Sequence, residues 1–172
     1  MPPAIRTATE ADAPAIARLH LASYRAAYRG LLPDGFLAAF DMAEREHRWL
    51  ERLRDPSRAT FVTAPAIVAF AEIGPSHDDP RTGELLALHV AESHWRQGIG
   101  GALHARALNA LSGLGHESAV LWVLDGNQRA CAFYEAAGWA FTGETRHRNV
   151  RGTLVDELRY RRELRPHRSL PV

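Results

Sequence analysis

The sequence predicts a single α/β domain built on a mixed central β-sheet flanked by helices, and three observations carry that reading. A short apolar strand, Glu84 to Val90, passes through a glycine-rich turn into a helix that runs to about Ser112 and is stopped by Gly113. A second strand, Ala119 to Leu124, turns at Asp125-Gly126-Asn127 into a helix from Arg129 to Ala137, with Gly138 in the usual stopping position. Trp139 to Thr145 and Leu154 to Glu163 then form a pair of strands around Asn149 to Gly152. No repeat or linker divides the chain, so residues 1–164 are one domain, followed by a tail over 165–172 that is expected to be mobile.

Upstream, Ala4 to Ala8 is a first strand, and Thr9 or Asp12 offers an oxygen to cap the next helix, whose first turn tolerates Pro14. Ile16, Leu19, Ser23 and Ala26 or Ala27 mark one face of that helix. The aromatic and basic group Tyr24, Arg25, Tyr28 and Arg29 ends it at Gly30. Leu31 to Gly35 is a turn, and Phe36 to Phe40 begins another helical piece. From Met42 to Leu53, Trp49, Leu50 and Leu53 sit on a helix crowded with Glu and Arg, the pattern of a solvated face laced with ion pairs. Thr60 to Ala64 and Ile67 to Ile73 predict a hairpin around Pro65-Ala66. Gly74 to Gly83 has every local sign of a loop. Its His77, Asp78 and Asp79 have no second cluster at ligand spacing, so they are read as solvated and no metal is expected.

Between Val90 and the helix that follows lie Gly98, Gly100 and Gly101, with Arg96 and Gln97 just before. Glycine lets the backbone approach a bulky group, and the first N–H groups of a helix lack intrahelical partners, so this start suits an anion. Three readings compete. A Walker A loop needs a lysine after its last glycine, and the chain contains none, which excludes it. A dinucleotide fingerprint fits weakly, because Leu103 stands where the third glycine belongs. A glycine-rich helix start that binds nothing is the third, and the second half of the chain weighs against it.

That second half carries Asn127-Gln128-Arg129-Ala130-Cys131-Ala132-Phe133-Tyr134-Glu135-Ala136-Ala137-Gly138-Trp139. With the run from Glu84 to Leu103 it resembles the GCN5-related N-acetyltransferase (GNAT) superfamily. That family's first motif is Gln/Arg-x-x-Gly-x-Gly/Ala and its second is Asn-x-x-Ala-x-x-Phe-Tyr-x-x-x-Gly-Phe/Trp. The second is matched throughout by Asn127, Ala130, Phe133, Tyr134, Gly138 and Trp139; in the first, Gly98 and Gly100 fit while Trp95 stands at the Gln/Arg position. The resemblance implies a sheet whose strands splay to form a cleft for acetyl-CoA. Its pyrophosphate would be held by Trp95, Arg96, Gln97, Gly98, Ile99, Gly100 and Gly101, with neighbouring Arg96 the candidate for the positive charge. Leu88, His89 and Val90 would line the pantetheine arm, the Leu88 amide meeting the acetyl oxygen, while Asn127, Ala130, Phe133 and Tyr134 would face them.

Acetyl transfer to an amine needs a polarised carbonyl, a deprotonated amine and a proton for the leaving thiolate. By resemblance Tyr134 is the general acid. An alkyl amine has a pKa near about 10 and must shed a proton before attack. Glu84, four residues before Leu88 and expected to share a strand face with Leu86, Leu88 and Val90, ranks first as base. Glu72, His89 and ordered water are its rivals. The region between the first and third strands would form the acceptor pocket, where Tyr24, Tyr28, Phe36, Phe40, Trp49 and Glu72 are candidates. Asn127 is either a contact to the cofactor arm or a helix cap.

Composition narrows the partners. A net charge of +1 over 172 residues gives no field that would draw nucleic acid or a membrane surface. All 21 positive side chains are arginine, so the chain has no lysine of its own to acylate. With Cys131 alone no internal disulfide forms, and the start, Met-Pro-Pro-Ala-Ile-Arg-Thr, lacks the apolar core of a signal peptide. A cytoplasmic protein is expected. The acceptor is an amine on a small molecule or a peptide, and the resemblance also admits a homodimer. Two alternatives stay open: a non-catalytic domain that binds or senses acyl-CoA, and a transferase for another acyl-CoA.

Overall fold

A computed structural model describes residues 3–150 and 152–164 of the chain; the tail expected to be mobile lies outside them. Strands β1 (Ala4–Thr7), β2 (Ala59–Ala64), β3 (Ala69–Pro75), β4 (Thr82–Val90), β5 (Ser118–Leu124), β6 (Ala140–Val150) and β7 (Thr153–Glu163) form one sheet in the order β1-β2-β3-β4-β5-β7-β6. Every neighbouring pair is antiparallel except β4 and β5. Helices α1 (Ala13–Ala27), α2 (Asp34–Ala38) and α3 (Met42–Arg54) connect β1 to β2. Helix α4 (Ile99–Gly113) crosses from β4 to β5, and α5 (Gln128–Ala136) joins β5 to β6.

The α4 crossover is what the parallel β4–β5 pair requires. Ile99, Leu103, Ala107 and Leu111 repeat at helical spacing and are buried against Ala71, Ile73 and Leu85 of the sheet. Tyr134 and Trp139 join the same core. The opposite sheet face is covered by Ala13, Ile16 and Ala17 of α1 and Trp49 of α3, packed on Val62 and Phe70. Fully burying a side chain such as Leu103 or Ile16 contributes roughly 1.5–3 kcal/mol.

Three local details depart from the sequence reading. Gly74 and Gly83 belong to strands, not to a loop: a Cβ on Gly83 would sit 2.5 Å from a Leu111 methyl, so the residue is glycine because α4 packs on it. Asp12 does not cap α1 with its carboxylate, which instead accepts a bidentate pair from Arg6 and a bond from the Thr9 amide. Strand β6 runs on past Thr145 to Val150, zipped to β7 by Arg146–Glu157 and His147–Asp156.

Glu72 is the largest correction to the expected pocket. Its side chain is 0% exposed, with one oxygen accepting from Arg52 Nε at 2.9 Å and Arg58 Nη1 at 3.1 Å and the other bound by Arg52. A carboxylate held by two guanidiniums is a structural ion pair, not a free base. Glu72→Gln should therefore destabilise the fold by about 3 kcal/mol, the low end of the range for broken buried pairs because both arginines still reach solvent. Denaturant unfolding measures this, and unchanged stability would return Glu72 to the list of bases.

Candidate active site

Strands β4 and β5 pair only where Thr82, Gly83 and Glu84 face Ser118, Ala119 and Val120. Beyond that point they separate, leaving a gap edged by the second half of each. What β4 offers to the gap follows from its other neighbour. The Ala91 amide bonds the Val68 carbonyl, which makes that pair a hydrogen-bonded one in the antiparallel β3–β4 register. Bonded and non-bonded pairs alternate, so His89 spends its N–H and C=O on β3 while those of Leu88 and Val90 point into the gap.

The start of α4 closes one end of this gap. Gly98, at φ 79°, and Arg96, at φ 60°, both adopt the left-handed conformation that turns the chain into the helix. A Cβ on Gly100 would lie 3.6 Å from Val90 Cγ2 and 3.9 Å from Phe133, between β4 and α5. The missing side chain thus keeps an opening between them. Gln97 donates to the Ser93 carbonyl, and the Trp95 indole N–H donates to the Val90 carbonyl at 2.8 Å.

Helix α5 forms the opposite side. Asn127 caps it, its side-chain oxygen accepting from the Ala130 amide at 3.2 Å. Tyr134 is 9% exposed and packs edge-on against Phe133 and Trp139, and Trp139 is pinned by its indole N–H to His104 Nε2 at 2.9 Å. Burial raises the Tyr134 phenol above its ordinary value, so it holds its proton. Tyr28, on the far sheet face, is raised chiefly by burial and then by the phenols of Tyr24 and Tyr134.

Tyr24, Tyr28 and Phe36 do come together. They pack with Phe40 around Leu32, Leu124 and Val155, forming an aromatic wall beside the end of β5. Three polar residues on β6 and β7 that the sequence reading missed complete it. Glu157, 7% exposed and paired with Leu124 in register, accepts from Arg146 Nε at 2.6 Å and Arg148 Nη2 at 2.9 Å, and acts on both Tyr24 and Tyr28. The signal was parity: Glu157 shares a strand face with Val155.

The chain matches the acetyltransferase (GNAT) family over residues 18–139, with the first motif leading into α4 and the second forming α5. The chain belongs to the GNAT acetyltransferase family. It is 31% identical over 137 residues to the uncharacterized N-acetyltransferase YuaI of Bacillus subtilis, covering 77% of each. The probable N-acetyltransferase Rv2775 of Mycobacterium tuberculosis is 30% identical over 167 residues, 91% of each. Among solved structures, the PaiA N-acetyltransferase of Thermoplasma acidophilum, in complex with coenzyme A, superposes with a TM-score of 0.74 at 17% identity, covering 95% of this chain and 99% of that one. A ribosomal-protein-alanine N-acetyltransferase from Brucella melitensis gives 0.71 at 25% identity, over 94% and 99%. The mixed sheet is the GNAT fold, and the protein is an acyltransferase of that family.

Within this GNAT domain two rival bases and one aromatic leave the site. His89 turns its ring away from α4, onto His20 at 4.8 Å and Phe70 at 5.3 Å between centroids, and burial lowers its pKa to about 4. Neither its backbone nor its ring reaches the gap. Trp49, 1% exposed, is core, donating its indole N–H to His20. Glu72 is bound as described.

Glu84 is displaced from its expected face by a bulge. Glu72 faces Ala87 while Ile73 faces Leu85, so Leu86 is an extra residue in β4. The extra residue inverts the alternation: Leu85, Leu88 and Val90 pack on the α4 side, whereas Glu84 lies with Leu86 on the opposite face. Glu84 therefore stands at the end of the gap where β4 and β5 still pair, on the side of the aromatic wall. Burial chiefly raises its pKa, opposed by Arg146 and then Arg159. Among the described residues no helix is long and apolar enough to cross a membrane.

Proposed function

We propose that the protein transfers an acetyl group from acetyl-CoA to a primary amine, on a small molecule or a peptide N-terminus, by direct attack of the amine on the thioester carbonyl. The observation that supports this reading is the open edge of β4, with the main-chain groups of two residues, Leu88 and Val90, aimed into a gap that ends at a glycine-lined helix start. The opening at Gly100 fits a slender chain with phosphates beyond it, since any side chain there would fill the passage between Val90 and Phe133. The amides of Gly98 to Gly101 would hold the pyrophosphate, with Arg96 and Ile99 in the same turn. Asn127, Ala130 and Phe133 would bound the pantetheine passage opposite Val90.

In this reading the Leu88 amide donates to the acyl oxygen and steadies the charge that grows there. Glu84 accepts a proton from the incoming ammonium, directly or through water, so that a C–N bond can form as the C–S bond breaks. Tyr134 supplies a proton to the departing sulfur. Tyr24, Tyr28 and Phe36 surround the acceptor, and Glu157 between its arginines polarises that wall. The similarity to a ribosomal-protein-alanine N-acetyltransferase supports a peptide α-amine as one acceptor class.

If Glu84 is the base, kcat/KM falls tenfold per pH unit as pH drops through its pKa, which burial places above the ordinary glutamate value of about 4.3. Glu84→Gln should remove that acidic limb. A limb that survives substitution would belong to another titrating group and remove Glu84 as the base.

Thiol release from acetyl-CoA, measured against amino acids, polyamines, aminoglycosides, aryl amines and short peptides with free N-termini, tests the whole reading. Release stimulated by one class identifies the acceptor. Tight acetyl-CoA binding without release for any class would favour a non-catalytic acyl-CoA sensor, and release from a longer acyl-CoA alone would change the donor.

A further inference from the structure

Trp95 stands where the GNAT motif has a glutamine or arginine, which removes a polar side chain from the anion end of the gap. Its indole N–H is committed to the Val90 carbonyl at 2.8 Å, which fixes the ring at the mouth of the gap. On that ring lies the Arg129 guanidinium, 3.4 Å from the centroid. Arg129 is the second residue of α5, directly after the turn that Asn127 caps, so its side chain reaches across from α5 to the segment that opens α4.

Among the described residues Arg129 makes no ion pair and no side-chain hydrogen bond. Glu92 is the carboxylate that acts on it, and Glu92 is itself paired with Arg29. Partial burial makes the Arg129 charge less favourable than in water. A guanidinium stacked on one face still has its N–H donors in the ring plane, free for a phosphate. Arg96, by contrast, is exposed at a left-handed turn residue and rests on no ring among the described residues.

We propose that Arg129, seated on Trp95, is the phosphate-binding cation of the donor site, replacing the side chain that the motif places at position 95. This rests on the acyl-CoA reading of the gap and adds a consequence to it. The Val90 carbonyl is already occupied by the indole, so the donor is gripped more through its phosphates and less through its pantetheine amides than in a chain whose Val90 carbonyl is open.

Isothermal titration of the full-length protein with coenzyme A, 3′-dephospho-coenzyme A and pantetheine tests this. Arg129→Ala should weaken coenzyme A binding ~10- to 100-fold, the loss expected for a hydrogen-bonded charge, and leave pantetheine binding unchanged. An equal loss with the dephospho form assigns the contact to the pyrophosphate; a loss confined to coenzyme A assigns it to the 3′-phosphate. Arg129→Gln keeps the polar stem and should show the same selectivity should the alanine variant fold poorly. Coenzyme A affinity unchanged in both variants, or an equal loss for pantetheine, overturns the proposal while leaving the donor site standing. A wild-type protein that binds none of the three overturns the acyl-CoA reading itself.

Discussion

Gly100→Val should abolish measurable coenzyme A binding in a protein that still folds. The first added carbon meets Val90 and Phe133 at 3.6 and 3.9 Å, which is ordinary contact, so the substitution has room in the unliganded chain. Helix propensity does not oppose it, because glycine inside a helix already costs about as much as a β-branched residue. The two further methyl groups of valine occupy the passage that the proposed reading gives to a pantetheine arm on its way to the open edge of β4. On the order of 100-fold loss of affinity corresponds to about 2.7 kcal/mol. Calorimetric titration beside a thermal unfolding curve separates the outcomes. A folded variant with wild-type affinity would place the donor elsewhere.

Tyr134→Phe acts on a later step. The ring packs edge-on against Phe133 and Trp139, contacts that phenylalanine retains, so stability and donor affinity should change little. Only the hydroxyl is lost. Burial keeps that hydroxyl protonated at every working pH, which suits a group that gives up its proton only as negative charge grows on a sulfur beside it. A rate about 100-fold lower in the single-turnover chemical step, with unchanged acetyl-CoA affinity, is the expected signature of a proton donor used only in the transition state. A variant that turns over at the wild-type rate would remove Tyr134 from the chemistry.

Much of this architecture was legible in the chain because it depends on neighbours in sequence. The strand-turn-helix of the first motif, the Asn127 cap and the packed Tyr134 all follow from spacings of a few residues. The side that carries Glu84 and the aromatic wall was harder to read. Glu72 meets its arginines 14 and 20 residues away, so nothing near it announces that its charge is neutralised. The bulge at Leu86 lies in a Leu-Leu-Ala run without glycine, and simple alternation carried Glu84 to the wrong face. The second half of β6, Arg146 to Asn149, has no apolar rhythm because its strand order comes from pairing with β7 and not from a buried face. Glu157 was overlooked for a related reason: its importance depends on Leu124, Tyr24 and two arginines from other segments.

The extra residue in β4 gives one strand two independent duties. Downstream of it the gap is served by main-chain groups at Leu88 and Val90, whose side-chain identity can drift so long as the α4 packing survives. Upstream, Glu84 and Leu86 present side chains to the other side of the sheet, where composition is everything and backbone pairing is already spent. Under the proposed reading, substitutions at Glu84 or Leu86 that retune the acceptor leave the donor grip undisturbed. The compartment depends on the bulge itself: straightening β4 at constant length would put Glu84, four residues before Leu88, on the α4 side with it, whereas deleting Leu86 would keep Glu84 opposite Gly74 and Leu88 opposite Ala71 and so leave the carboxylate where it stands.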